Sequence, residues 1–169
     1  MENASKALLM AAAVLLGIMI ISVGVAIFNT LSSFSQTTIA RMQERQVAEF
    51  NSNFTKYYGQ VDGETIQVTI HDIISAANFA KQSNIDNELQ GETGYSEYTN
   101  YVQVDVKIGG STITKLEKQD VSTYQTLIQN NSLVADENGK LAQTKYFVCT
   151  NLLYSEQTGR VMYIAFSDN

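Results

Sequence analysis

The chain opens on an apolar run. From Ala7 to Phe28 every residue except Ser22 is Ala, Leu, Ile, Val, Met, Gly or Phe, and no charged residue occurs between Ala7 and Ala40. As a helix rising about 1.5 Å per residue, these 22 residues span about 33 Å, enough to cross a hydrocarbon core about 30 Å thick. Twelve of them form the expected membrane anchor: Leu8, Leu9, Val14, Leu15, Leu16, Ile18, Ile20, Ile21, Val23, Val25, Ile27 and Phe28. Each contributes roughly −0.3 to −0.6 kcal/mol to insertion, or about −4 to −7 kcal/mol together, with no charge opposing them. Gly17, Ser22 and Gly24 permit close helix packing without matching the strict four-residue spacing of a small-residue dimer motif.

After Phe28 the composition turns polar while the helical period continues. Leu31, Phe34, Ile39, Met42, Val47, Phe50, Phe54 and Tyr57 recur at spacings of three to five and form one stripe. Gln43, Glu44, Gln46 and Glu49 fall mainly off it. The chain has no proline to break a helix, and Gly59 ends the pattern. A helix from about Ala4 to Tyr58 would be roughly 80 Å long, well beyond the three or four turns usual in globular proteins.

The remainder reads as an α+β domain. Gly59 to Glu64 is expected as a loop. Thr69, with Asp72 three residues on, caps a helix whose apolar face is Ile70, Ile73, Ile74, Ala77 and Ala80 or Lys81, ending near Ser83. Asp86 to Asn100 reads as a polar surface loop. Tyr101 to Ile108 alternates as a half-buried strand, with Val102, Val104, Val106 and Ile108 inward. Gly109-Gly110 turns it into a second strand over Thr112 to Glu117, and Asp120 caps a helix through Val121, Tyr124, Leu127 and Ile128. Asn138-Gly139 marks another turn, and Lys145–Tyr154 with Arg160–Ser167 forms the strongest hairpin pattern. The expected architecture is a long N-terminal helix packed on a small, mainly antiparallel four-stranded sheet with two further helices. Its segments are an anchor over 1–28, an amphipathic continuation over 29–58 and a domain over 59–169.

Charge narrows the function. The net charge is −6, and Lys6 and Glu2 are the only charged side chains before Arg41. With no basic cluster to follow a phosphate backbone, a nucleic-acid partner is not expected. Lys6 and the initiator amine ahead of the span favour an N-terminus inside and a domain outside the cytoplasm, in a single-pass cell-membrane protein. A cleaved signal peptide competes, because Gly24 and Ala26 place small residues just before Ile27, but the apolar stretch exceeds the usual 7–15-residue core of such a signal.

The two-part helix over Ala4 to Tyr58 resembles that of the type IV pilin-like family, including pseudopilins and the tight-adherence pili. The resemblance implies an apolar half that holds the subunit in the membrane and then forms a filament core, and a second half packed against an antiparallel sheet. The family's cleavage motif, a Gly followed by a short fixed run ending in Glu, is not matched. Glu2 precedes Lys6 and lies outside the apolar run, so neither a cleavage site nor a charge-pairing role carries over.

No H-E-x-x-H, P-loop or EF-hand spacing and no G-x-S-x-G elbow is present. His71, the only histidine, is expected as an exposed helix-start residue, and Cys149, the only cysteine, as a small apolar residue of a buried strand. Asp86, Glu88, Glu92 and Glu97 fit no calcium loop. The expectation is a protein that is not an enzyme and uses no cofactor, metal or small-molecule substrate. Its partners are the lipid bilayer and, through the N-terminal helix, like subunits or assembly proteins. Tyr95, Tyr98, Glu92 and Glu97 form a candidate interaction surface, the basis of the alternative, a membrane-anchored binding or sensing module.

Overall fold

A computed structural model of the chain describes residues 2–135 and 141–168; the turn expected at Asn138-Gly139 lies outside them. The chain divides into two compact units, Met1–Arg45 and Gln46–Asn169, which are taken separately below.

Helix α1 (Glu2–Thr55) is unbroken and accounts for all described residues of the first unit. Several of its hydroxyls bond within the helix: Ser22 Oγ donates to the Ile18 carbonyl at 2.8 Å, Thr30 Oγ1 to Ala26 at 2.9 Å and Thr37 Oγ1 to Ser33 at 2.9 Å. Such bonds let polar side chains sit in an apolar helix without leaving a donor unpaired. The helix ends at Thr55, short of the expected Tyr58, where Tyr57 and Tyr58 N–H bond three residues back to Phe54 and Thr55 carbonyls at 3.1 Å each.

In the second unit, β1 (Gln60–Val61) and β2 (Glu64–Thr65) pair antiparallel where a loop was expected. Asp62 and Gly63 both take positive φ, 54° and 87°. Two such residues make the tight hairpin turn whose twist matches its strands. β3 (Gln67–Val68) leads into α2 (Ile70–Asp86). Its start is the expected reciprocal cap: Asp72 N–H donates to Thr69 Oγ1 at 3.4 Å, and Thr69 N–H donates to Asp72 Oδ2 at 2.9 Å. It runs past Ser83 to Asp86.

β4 (Gln103–Ile108) turns at Gly109-Gly110, again both at positive φ, into β5 (Ser111–Ile113). The strand expected to reach Glu117 stops at Ile113, because Lys115 adopts the left-handed conformation at φ 56° and starts a single 3-10 turn, Leu116–Lys118. α3 (Val121–Asn131) follows, capped by Asp120, whose carboxylate accepts from Thr123 N–H at 2.8 Å. β6 (Leu133–Ala135) and β7 (Leu141–Thr144) form a separate antiparallel ribbon. β8 (Phe147–Tyr154) and β9 (Val161–Asp168) make the expected hairpin.

The main sheet has five strands in the order β3-β8-β9-β4-β5. This corrects the four-stranded, mainly antiparallel expectation in two respects. Two-residue β3 adds to the β8 edge, and β9 pairs with β4 in parallel, Gln103 opposite Tyr163 and Val106 opposite Phe166. The parallel pair requires a long crossover, here supplied by β5, the 3-10 turn, α3, the ribbon and β8.

Val102, Val104, Val106, Ile164 and Phe166 join Ile70, Ile73, Ala77 and Ala80 of α2, and Tyr124 and Leu127 of α3, in one core. The last turns of α1 belong to this unit. Phe50, Phe54 and Phe79 form an aromatic triangle with centroids 5.5–5.6 Å apart, and Tyr57 meets Phe166 edge-on at 5.9 Å. Asn51 completes the join, its Nδ2 donating to the Gly159 carbonyl and its Oδ1 accepting from Val161 N–H, each at 2.8 Å. Phe54 is fully buried. Phe54→Ala is therefore expected to destabilise this unit by about 3–5 kcal/mol, read as a lower denaturant midpoint for the detergent-solubilised full chain.

Candidate functional site

Two surfaces and one buried cluster carry the chemistry of this chain. The first surface is α1 itself. Its twelve anchor residues are 52–75% exposed, and the span has a mean hydropathy of 2.7 with none of it buried. One helix is thus long and apolar enough to cross a membrane, by a measure of length and hydropathy that a signal sequence near an N-terminus also meets. The exposure continues beyond Phe28: Leu31, Phe34, Ile39 and Met42 are 53–69% exposed. The later members of the stripe differ, with Val47 and Phe50 half-buried and Phe54 and Tyr57 buried.

The second surface is the loop over residues 87–100, which lies against the sheet instead of standing free. Tyr95 stacks on Tyr163 of β9 at 4.7 Å. A Cβ on Gly94 would come within 3.1 Å of Gln103 Oε1, so the loop approaches β4 closely where only glycine fits without displacement. Lys118 Nζ donates to the Glu92 carbonyl. Glu97 Oε2 accepts from Glu156 N–H at 2.7 Å, fixing the loop to the β8–β9 turn. Of the four residues proposed as an interaction surface, Tyr98 alone is almost wholly exposed, at 85%. Tyr95 and Glu97 are held by the fold, and Glu92 is bound through its backbone.

This loop also corrects the half-buried β4. The polar residues Gln103 and Asp105 are buried as well as the valines. Asp105 Oδ1 accepts from Gln103 Nε2 and Lys115 N–H, both at 2.9 Å, and Oδ2 accepts from the Tyr163 hydroxyl at 3.1 Å. Burial, followed by the charge of Asp105, pushes the Tyr163 hydroxyl up to about 12.

The buried cluster is centred on Glu117, 1% exposed. Tyr101, fully buried just before β4, donates its hydroxyl to Glu117 Oε1 at 2.6 Å, and Val104 N–H donates to Oε2 at 2.9 Å. Tyr124 donates its hydroxyl to the Leu116 carbonyl at 2.8 Å, which fixes the 3-10 turn on α3. Burial raises the Glu117 carboxyl above its ordinary range, and the hydrogen bonds from Tyr101 and Val104 offset that only in part. Burial, then the bond to Glu117, pushes the Tyr101 hydroxyl far above its own ordinary range. Both oxygens of Glu117 are occupied by donors of the fold, the arrangement of a structural acid.

His71 is exposed in the first turn of α2, as expected. Cys149 is buried in β8, where burial pushes its thiol up to about 11 and leaves little thiolate near neutral pH. Among the described residues, no group of His, Cys, Asp and Glu is arranged to hold a metal ion. Comparison with models of protein families, with curated proteins and with solved structures gave no match.

Glu117, Asp105 and Asn51 are the functional-looking groups that the sequence pattern did not single out. Asp105 alone left a trace, as an acid between two inward valines.

A carboxyl raised on folding favours the folded state below its unfolded value, 4.5 for Glu117, and that contribution is lost as pH rises through the folded value. Glu117→Gln should remove this loss. The amide oxygen can accept from Val104 N–H while its NH2 donates to the Tyr101 oxygen, since a phenol both donates and accepts. The expected result is a thermal midpoint that falls from pH 4.5 toward neutrality in the native chain and falls less in the variant, as followed by circular dichroism.

Proposed function

We propose that this chain is a structural or accessory subunit of a pilus-like or secretion-related cell-surface assembly. In this reading α1 holds it in the cell membrane as a single span, with the Gln46–Asn169 unit outside the cytoplasm, and its role is association and not catalysis. One observation carries the reading: the large apolar side chains do not stop where a bilayer does. Ala7 to Phe28 already fills a hydrocarbon core of about 30 Å. Leu31, Phe34, Ile39 and Met42 continue past it, 53–69% exposed. Apolar side chains clustered in water mark an interaction surface, and a neighbouring α1 presents a surface of the same chemistry. Within lipid, packing and small residues govern helix association, whereas in water the hydrophobic effect acts directly. The segment after Phe28 is thus where neighbouring helices gain most from meeting. The resemblance to pilin-like helices supports the same reading.

Cross-linking tests it. In a Cys149→Ser background, Ile39→Cys should give disulfide-linked dimers in native membranes, and Glu44→Cys, off the stripe, should give few. A strictly monomeric protein in membranes, absent from any sheared filament fraction, would overturn the proposal, as would a mature N-terminus at Ile27.

A second reading, an anchored binding or sensing module, is favoured by the 85% exposure of Tyr98 on a loop otherwise held in place. Rigid mounting lowers the entropy lost when an aromatic side chain docks. Tyr98→Ala should then weaken capture of a partner from the cell envelope by about tenfold while leaving helix cross-linking intact. Unchanged capture rejects this reading.

A further inference from the structure

Between α2, the start of β4 and the 3-10 turn lies an open cleft of about 290 Å³, lined by Lys81, Asn84, Ile85, Gln90, Tyr101, Glu117 and Lys118. It opens beside the start of the loop over residues 87–100, through Gln90, and has the Tyr101–Glu117 pair in its floor. Its floor is already complete. Asn84 donates Nδ2 to the Val102 carbonyl at 2.9 Å and accepts Val102 N–H at 2.8 Å, while Tyr101 and Glu117 bond each other and Val104.

The two lysines differ from the floor in this respect. An ammonium has three donors, and each of these uses one on a backbone carbonyl: Lys81 Nζ on Gln119 at 3.1 Å, and Lys118 Nζ on Glu92. Neither is in an ion pair among the described residues. The net charge of the chain is −6, yet this cleft gathers two lysines against one carboxyl, Glu117, both of whose oxygens are already taken by Tyr101 and Val104. The Tyr101 ring, with Lys118 Nζ 5.4 Å from its centroid, and the Ile85 side chain supply apolar wall.

We propose that this cleft binds a small monocarboxylate on a short aliphatic stem, the carboxylate between Lys81 and Lys118 and the stem against Ile85 and Tyr101. Size restricts the class: about 290 Å³ lies at the lower end of the range for ligand pockets, so only a short stem is enclosed by the cleft itself. Charge restricts it further, because the Glu117 carboxyl in the floor disfavours a dianion such as phosphate. The stem comes either from a free short-chain acid or from a glutamate side chain of another protein.

The test uses the full-length chain in lipid nanodiscs with isotope-labelled isoleucine methyl groups, titrated with butyrate, with butyramide and with N-acetyl-Ala-Glu-Ala-amide. Butyrate should shift the Ile85 methyl signal saturably in the millimolar range, and butyramide should not. Lys81→Met with Lys118→Met should weaken butyrate at least tenfold. Ile85→Asp, an independent variant read on ligand signals, should do the same by placing a like charge at the mouth. Saturable binding of the peptide with weaker butyrate binding would assign the stem to a protein side chain, and the reverse to a free acid. Equal shifts by butyrate and butyramide, no saturable shift by either carboxylate, or unchanged affinity in folded variants would overturn the proposal and leave a packing void.

Discussion

The constraint behind everything else is that the apolar side chains of α1 from Leu8 to Met42 find no cover within their own unit. A folded chain normally buries such side chains against itself, gaining roughly 25 cal/mol per Å². Here that gain is available only from surroundings the chain does not itself supply. The hydroxyls of Ser22, Thr30 and Thr37 turn back onto carbonyls of their own helix, which leaves none of these three donors in need of a partner from outside it.

The last turns of the same helix obey the opposite rule. Phe54 is buried with Phe50 and Phe79, and Asn51 uses its amide as a neighbouring strand would use its backbone, pairing with Gly159 and Val161 where β9 begins. Arg160 lies 3.9 Å from the Phe50 ring centroid and donates to Ser83 Oγ at 3.2 Å, so the β8–β9 turn holds both α1 and α2. One helix therefore serves two environments, and the boundary is set by which side chains have partners in the domain.

What could be read in the sequence follows from how local its causes are. The apolar run, the Thr69–Asp72 cap, the Asp120 cap, the Gly109-Gly110 turn and the β8–β9 hairpin each depend on residues a few positions apart, and all of them were legible. The β1–β2 hairpin is equally local, but its Asp62-Gly63 turn stands between strands only two residues long, too short to show an alternating pattern. The parallel β4–β9 pair was not legible, since residues sixty positions apart decide it. The same applies to the loop over residues 87–100: its polarity suggested solvent, yet it covers Asp105 and Gln103, whose burial depends on Tyr95, Gly94 and Tyr163 meeting across the fold. Glu117 looked like the end of a strand because nothing nearby reveals that Tyr101 would supply its proton donor.

The parallel pair also bears on timing. β9, last in chain order, occupies the middle of the sheet between β8 and β4. Until it arrives, β4 with β5 and β8 with β3 are separate fragments with open edges. The sheet is thus one continuous layer only once residues 161–168 fill the gap between β8 and β4, and that single strand joins a hairpin partner to a segment from the other end of the domain.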